Sequence, residues 1–296
     1  MSIAVLGICV ICYFIANIYQ NKFSSSLKGQ IYPMNYFQIV WMGVAGIGYF
    51  LVGLFSGGMH FSGLTIWLGS LAGIMSILGG MALMGGMARG PLSMTILIYS
   101  MYIVIPPIMA GLFLHETVTK SQIIAILLII VVIFLSNSGG GKEKKIQDRW
   151  WWFLCIGSVI CIGLSNFVMK FHQKIMPGAE IKEYSIVSYI WGILIAGLFA
   201  VVLRNREMKL GHERYRITAK YFVIPAIMTA LVQGCANVCN LYNASRLPAI
   251  VLYPVTQLST LMLTVLYGIL FLKEHPTKRT VSCLLLGVAA IVLMNF

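Results

Sequence analysis

The sequence predicts an all-α polytopic membrane protein, with ten transmembrane helices arranged as a 5+5 inverted repeat. Three observations lead to this prediction: an apolar composition, ten long apolar segments and an internal repeat. Of the 296 residues, 59% are hydrophobic and 10% are charged, and the mean hydropathy is +0.89. Soluble domains carry about 25% charged residues. A water-facing domain of any size is therefore excluded.

The ten apolar segments each have the length that a membrane-spanning helix needs, about 20 residues. Their charges fall only at their ends, and charged residues or Gly, Pro and Ser separate them. The first segment lacks a basic N-terminal region, so we expect it to be a retained helix rather than a signal peptide. We predict helices at residues 2–21, 35–56, 62–87, 91–114, 119–137, 150–171, 183–203, 219–243, 247–272 and 278–295.

An internal repeat divides the chain into two halves. Residues Leu112–Lys120 match Leu270–Lys278 at six of nine positions, with an offset of 158. Two shorter matches occur in the same order at comparable offsets: Ile11-Cys12 with Ile160-Cys161 near the starts of the halves, and Arg89-Gly90-Pro91 with Arg246-Leu247-Pro248. Because each half holds five helices, the second must enter the membrane from the opposite side. We assign residues 1–138 to the first repeat, 139–149 to a basic connecting loop and 150–296 to the second, inverted repeat.

The positive charges predict the orientation of the chain. The net charge of +13 and the pI near 9.5 could suggest nucleic acid, but the basic residues lie between apolar segments. We therefore expect membrane lipids, and no nucleic acid, as their partners. Sixteen of the 21 basic residues fall in odd-numbered loops. The positive-inside rule then predicts a multi-pass protein of the cell membrane with both termini extracytoplasmic.

The acidic residues and histidines limit the chemistry of the membrane core. All eight acids and all five histidines lie in connections or at the ends of spans. Acid–base catalysis and hard-metal sites need such groups at the reacting centre. The sequence therefore predicts no enzyme activity, no metal and no cofactor. The cysteines at Cys9, Cys12, Cys235 and Cys239 lie within apolar helices and indicate small packing residues.

With no charge expected inside the spans, a binding site must consist of amides, hydroxyls and aromatic rings. Such residues recur at i, i+4 and i+7 on several helices, which places them on one helical face. They also hold helices together in membranes, which is the competing interpretation. The predicted substrate-binding residues are Tyr13, Asn17, Thr95, Tyr99, Tyr102, Asn166, Gln233, Asn237, Asn240, Tyr253, Gln257 and Thr260, and the predicted hinges are Pro106, Pro107 and Pro254.

The repeated corner carries a family resemblance. Each half ends its fourth helix in an apolar-Phe-Leu-x-Glu-x-x-Thr pattern and continues into an apolar fifth helix, and the segment Gly163–Lys170 supports the match. This arrangement resembles the EamA-type ten-helix members of the drug/metabolite transporter superfamily. The resemblance implies a ten-helix fold and transport of small solutes, without fixing the substrate. Glu116 and Glu274 are expected to complement the N-terminal dipole of the helix that follows each of them.

These observations together predict a secondary transporter that works by alternating access as an exporter, exchanger or facilitator. The expected substrate is a small neutral, zwitterionic, aromatic or amine-type solute, and the protein is expected to be a monomer or homodimer. The spacing Gly69-x-x-x-Gly73 predicts close helix packing in the third helix. The alternatives are a lipid or glycolipid flippase, and a non-transporting membrane receptor or assembly subunit.

Overall fold

A computed structural model describes residues 2–24, 26, 32–55, 58–89, 95, 98–117, 119–137, 149–209, 215, 217–271 and 278–294. The predicted connecting loop at 139–149, apart from its last residue, lies outside these residues. So do Glu274 and most of the second copy of the repeated corner. Within the described ranges the regular elements are all helices, joined by short non-helical connections.

Ten α-helices run through the described residues, one for each predicted segment. They are α1 (Ser2–Ser24), α2 (Tyr32–Phe55), α3 (Gly63–Arg89), α4 (Ile105–Leu114), α5 (Lys120–Asn137), α6 (Arg149–Ile175), α7 (Ile181–Lys209), α8 (Ile224–Ala244), α9 (Ala249–Phe271) and α10 (Lys278–Met294). A 3₁₀ turn at Met101–Val104 precedes α4, and a π turn at Ala219–Val223 precedes α8. The predicted start of the fourth helix near Pro91 lies outside the described residues.

Several helices have the length and composition of membrane spans. Five described segments are long and apolar enough to cross a bilayer: Tyr32–Phe55, Gly63–Met87, Arg149–Ile175, Ile181–Lys209 and Ala219–Ala244. Many large apolar side chains point outwards, and Phe55 is 88% exposed. Soluble monomers rarely expose such extensive apolar surface, whereas lipid tails accommodate it. The protein is therefore a multi-pass, all-helical membrane protein.

Contacts between the two sets of five helices follow a regular pattern. Helix α1 packs against α8, and α3 packs against α6. Helix α2 packs against both α7 and α8, while α3 also packs against α7. At the periphery α5 packs against α10, where Ala125, Ile129 and Val132 share one apolar cluster with Ala290. Every helix therefore contacts at least one helix of the other set.

The contact between α3 and α7 depends on glycine, as the Gly69-x-x-x-Gly73 spacing predicted. A Cβ atom at Gly73 would overlap the carbonyl of Ser188 on α7, and one at Gly69 would lie 3.1 Å from the Tyr184 carbonyl oxygen. Small residues allow helix backbones to approach this closely. The close approach brings the polar residues of α7 beside those of α3.

The bundle has two ends, named here by residues that lie at them. At the Phe23 end, the rings of Phe23, Phe37 and Phe222 pack together, and the Tyr32 backbone N–H donates to Glu207. At the Glu116 end lie the α2–α3, α4–α5, α6–α7 and α8–α9 connections. Because consecutive helices alternate in direction, the helix ends that the odd-numbered connections join lie at the Phe23 end.

Candidate solute-binding cavity

A cavity of about 540 Å³ lies between the two sets of helices. Residues of α1, α2, α3, α6, α7, α8 and α9 line it, together with Tyr99 and Tyr102 from the segment before α4. Pockets for small ligands commonly have volumes of about 300–1,000 Å³. None of the described lining residues is Asp, Glu, Lys, Arg or His. The polar groups of this wall are amides and hydroxyls.

The cavity brings together eleven of the twelve residues predicted for substrate binding. Only Thr95 lies elsewhere: its side chain is fully buried, and its Oγ1 accepts a hydrogen bond of 2.9 Å from Trp151 Nε1. The three predicted hinge prolines also lie outside the lining. Pro106 and Pro107 are the second and third residues of α4, which begins directly after the 3₁₀ turn, and Pro254 lies inside α9.

A chain of hydrogen bonds crosses the cavity wall from α8 to α7. Asn240 Nδ2 donates to the Tyr13 hydroxyl at 3.4 Å, and that hydroxyl donates to Asn237 Oδ1 at 2.9 Å. Asn237 Nδ2 then donates to the Tyr189 hydroxyl at 2.6 Å. These part-buried hydrogen bonds connect α8, α1 and α7 around the cavity.

Two further hydrogen bonds connect lining residues across the two sets of helices. The Tyr102 hydroxyl donates to Gln257 Oε1 at 2.9 Å, which joins the segment before α4 to α9. Gln20 Nε2 donates to Gln233 Oε1 at 3.0 Å, which joins α1 to α8. Some predicted residues therefore both line the cavity and hold helices together, so the two interpretations from the sequence are compatible.

Sequence reasoning missed the contributions of α2 and α7. Met34, Gln38 and Trp41 line the cavity from α2. Helix α7 contributes residues at i, i+1, i+4 and i+5: Tyr184, Ser185, Ser188 and Tyr189. The spacing of these polar and aromatic residues was a usable signal, because it marks one helical face.

The two ends of the cavity differ in burial. Towards the Glu116 end, the lining residues Tyr184, Leu241 and Tyr253 are buried. Towards the Phe23 end, Gln20, Met34 and Gln38 are only half-buried. The cavity is therefore closed at the Glu116 end and more accessible at the Phe23 end.

A buried ion pair lies at the closed end, where the sequence predicted no charge within the spans. Lys170 lies inside α6 and is 3% exposed, and its Nζ is 3.0 Å from Glu116 Oε1. Nζ also donates to the carbonyls of Ala244 and Leu247. The expectation of charge-free spans was therefore wrong at Lys170. Its charge is tolerated because a carboxylate and two carbonyls replace water.

The expected role of Glu116 also needs correction. It was predicted to complement the dipole of the helix that follows it, now α5. Instead Glu116 Oε2 accepts a hydrogen bond of 2.7 Å from the Ala249 backbone N–H, at the start of α9. Helix α4 ends at His115 in a left-handed conformation (φ 52°), which redirects the chain just before Glu116. Glu274 lies outside the described residues.

A second polar network joins the α2–α3 connection to the α6–α7 connection at the Glu116 end. Glu180 Oε1 lies 3.0 Å from His60 Nδ1, and Oε2 accepts hydrogen bonds from the Ser62 hydroxyl and N–H. Burial of the carboxyl raises its pKa, but hydrogen bonds from Thr65, His60 and Ser62 outweigh this and lower the pKa of Glu180 to about 2. The carboxylate is therefore held ionised.

The described cysteines lie within helices, and Cys9 shows how one of them packs. Among the residues that the structure describes, no group of three or more His, Cys, Asp or Glu could hold a metal ion. Cys9 on α1 donates to the Ala236 carbonyl on α8 at 3.4 Å, and it is fully buried. The Cys9 thiol thus lies in the contact between α1 and α8, as expected for a packing residue.

Comparisons with known proteins identify the family. One solved crystal structure superposes on 99% of this chain and 97% of its own, with a TM-score of 0.72 at 9% sequence identity, which is a likeness of fold alone. No curated protein sequence matches the chain. The sequence profile of the EamA-like transporter family matches residues 149–296, which is half of the chain. The chain therefore belongs to the EamA-like transporter family, within the drug/metabolite transporter superfamily that its corner motif resembles.

Proposed function

We propose that the protein is a secondary transporter that carries a small neutral, zwitterionic, aromatic or amine-type solute through the central cavity. The observation that carries this proposal is the cavity itself. It is large enough for a small solute, lies between the two sets of helices and has a wall of amides, hydroxyls and aromatic rings. A phosphorylated solute fits poorly, because no described lining residue is basic.

The pattern of helix contacts supports an inverted repeat. If each helix is exchanged with the one five positions along the chain, the α1–α8 contact becomes the α6–α3 contact. The contact of α2 with α8 likewise becomes that of α7 with α3, and the α1–α9 contact becomes that of α6 with α4. A pseudo-two-fold axis between the halves produces such pairs of contacts.

Alternating access follows from this symmetry and from the difference between the two ends. If the present state closes the Glu116 end, exchanging the conformations of the two halves would close the Phe23 end instead. The basic residues of the odd-numbered loops favour a cytoplasmic position for the Phe23 end by the positive-inside rule. The structure then corresponds to an inward-facing state.

The predicted prolines retain a role as hinges in this proposal. Pro254 removes one backbone hydrogen bond inside α9, close to the lining residues Tyr253 and Gln257. Pro106 and Pro107 follow a 3₁₀ turn, where the change in helix type provides a second point of bending.

The test is uptake by proteoliposomes incubated with a broad mixture of metabolites, with the lumenal solutes identified by mass spectrometry. Gly80 lines the cavity and has open space at its Cβ position, so Gly80→Leu should obstruct the cavity. Gly48 also has open space but does not line the cavity, so Gly48→Leu is the matched control. We expect wild type and Gly48→Leu to accumulate one or a few solutes, and Gly80→Leu to lose most of that uptake. Uptake of no solute by any of these proteins contradicts the proposal.

A further inference from the structure

Two polar atoms of residues at the closed end of the cavity make no hydrogen bond within the described part of the chain. They are Oδ1 of Asn240, a residue that is 7% exposed, and the hydroxyl oxygen of Tyr184, which is 4% exposed. Both residues line the cavity, and neither atom makes a hydrogen bond with a described residue. A buried polar atom without a partner is unfavourable, and a bound solute can supply the missing hydrogen bond.

The hydrogen-bond chain determines what Asn240 offers to a solute. Its Nδ2 already donates to the Tyr13 hydroxyl, and Tyr13 donates onward to Asn237. Because Nδ2 is committed in this way, the unpaired atom of Asn240 is its carbonyl oxygen, which can only accept a hydrogen bond. The solute must therefore bring a donor to this position.

Tyr184 lies among aromatic and apolar side chains. Its ring packs against His172, with 4.6 Å between ring centroids, and against the apolar cluster that contains Val168 and Leu241. The neighbouring lining residue Tyr253 presents a second tyrosine ring at this end. Aromatic faces attract cations, and a tyrosine hydroxyl oxygen can accept a hydrogen bond.

We propose that Asn240 and Tyr184 bind the N–H groups of a primary or secondary amine, so that the transported solute belongs to this chemical class. The inference rests on the transport function proposed above. The body of the solute then extends towards Trp41 and Tyr99. A quaternary ammonium group has no N–H to donate, and a carboxylate would place an acceptor against the Asn240 carbonyl oxygen. The Asn240 carbonyl oxygen therefore discriminates against both.

The probes are three molecules with the same body: 2-phenylethylamine, its N,N,N-trimethyl derivative and phenylacetate. Ligand-induced shifts in melting temperature of the purified protein give their apparent affinities. We expect the amine to bind at least about tenfold more tightly than the trimethyl derivative, as expected for the loss of one charge-assisted hydrogen bond. Phenylacetate should give no shift. Equal or tighter binding of the trimethyl derivative or of phenylacetate overturns the inference, and so does the absence of any shift with the amine.

Variants assign the preference to particular atoms. Tyr184→Phe and Asn240→Leu should reduce the preference for the amine to less than about threefold, in keeping with the loss of single hydrogen bonds. Asn243→Leu is the matched control, because Asn243 lies on the same helix, is fully buried and does not line the cavity. It should keep the full preference. A preference that survives in both Tyr184→Phe and Asn240→Leu overturns the assignment.

Failure of this inference differs from failure of the proposed function. If proteoliposomes accumulate only solutes without N–H groups, the amine site is wrong while transport stands. If no solute accumulates at all, the transport function itself is contradicted.

Discussion

Lys170 Nζ lies 3.0 Å from Glu116 Oε1, and this buried pair connects the two five-helix sets at the closed end of the cavity. Glu116 follows α4, whereas Lys170 belongs to α6 and also contacts the carbonyls of Ala244 and Leu247. The second oxygen of Glu116 accepts from Ala249 at the start of α9. Opening this end would separate the Lys170 ammonium group from the carboxylate and the two carbonyls that solvate it in place of water. The pair therefore stabilises the closed Glu116 end.

The first prediction concerns the stability that this pair contributes. Lys170→Met leaves the Glu116 carboxylate buried with only the Ala249 N–H as a partner among the described residues. Removing one member of a buried ion pair costs about 3–5 kcal/mol. We expect the double variant Lys170→Met/Glu116→Leu to be less destabilised than the sum of the single changes, as measured by thermal unfolding in detergent. Additive effects would show that the two residues do not interact.

Gly73 gives a second test, because it allows α3 and α7 to approach. Gly73→Ala places a methyl group against the Ser188 backbone, so we expect a loss of at least about 2 kcal/mol in the free energy of unfolding. Gly80→Ala lies on the same helix, but its Cβ meets open space, and we expect little loss. Equal melting temperatures for the two variants would contradict the close packing.

The third prediction is a dependence of stability on pH. The pKa of Glu180 falls from 4.5 to about 2 in the folded protein, so its carboxylate stabilises the fold at pH values above 4.5. This contribution should disappear as the pH falls from about 4.5 to 2, because the unfolded state takes up the proton first. Wild type should melt at a higher temperature than Glu180→Gln at pH 7, and the difference should shrink across that range. A difference that does not change with pH would contradict the assignment.

The fourth prediction distinguishes a residue that supports the fold, Thr95, from residues that bind the solute, such as Gln257. Thr95→Val removes the hydrogen bond from Trp151 outside the cavity, so we expect a loss of about 1 kcal/mol in stability and unchanged uptake per folded molecule. Gln257→Ala and Tyr99→Ala change the cavity wall and should lower uptake of an identified solute severalfold. If both of these variants transport normally, the solute does not pass through this cavity.

The sequence predicted the helices better than it predicted their ends and their charges. Apolar length is a strong local signal, and it located all ten described helices. The burial of Lys170 depends on Glu116 and on the carbonyls of Ala244 and Leu247, which are distant in sequence, so no local pattern could reveal it. Polar spacing found eleven residues of the cavity wall, because one helical face repeats every three to four residues. The same rule included Thr95, whose partner Trp151 comes from another helix.

Two-sided accessibility of single cysteines tests alternating access most directly. Single cysteines are introduced into a protein without native cysteines, and impermeant thiol reagents are applied to either side of oriented vesicles. Gln38→Cys then reports the accessibility of the Phe23 end, and Leu241→Cys reports that of the Glu116 end. We expect Gln38→Cys to react from the Phe23 side and Leu241→Cys to be protected. Adding Lys170→Met should expose Leu241→Cys from the opposite side while labelling of Gln38→Cys decreases. Simultaneous labelling from both sides, with no such decrease, would indicate a channel and contradict the account.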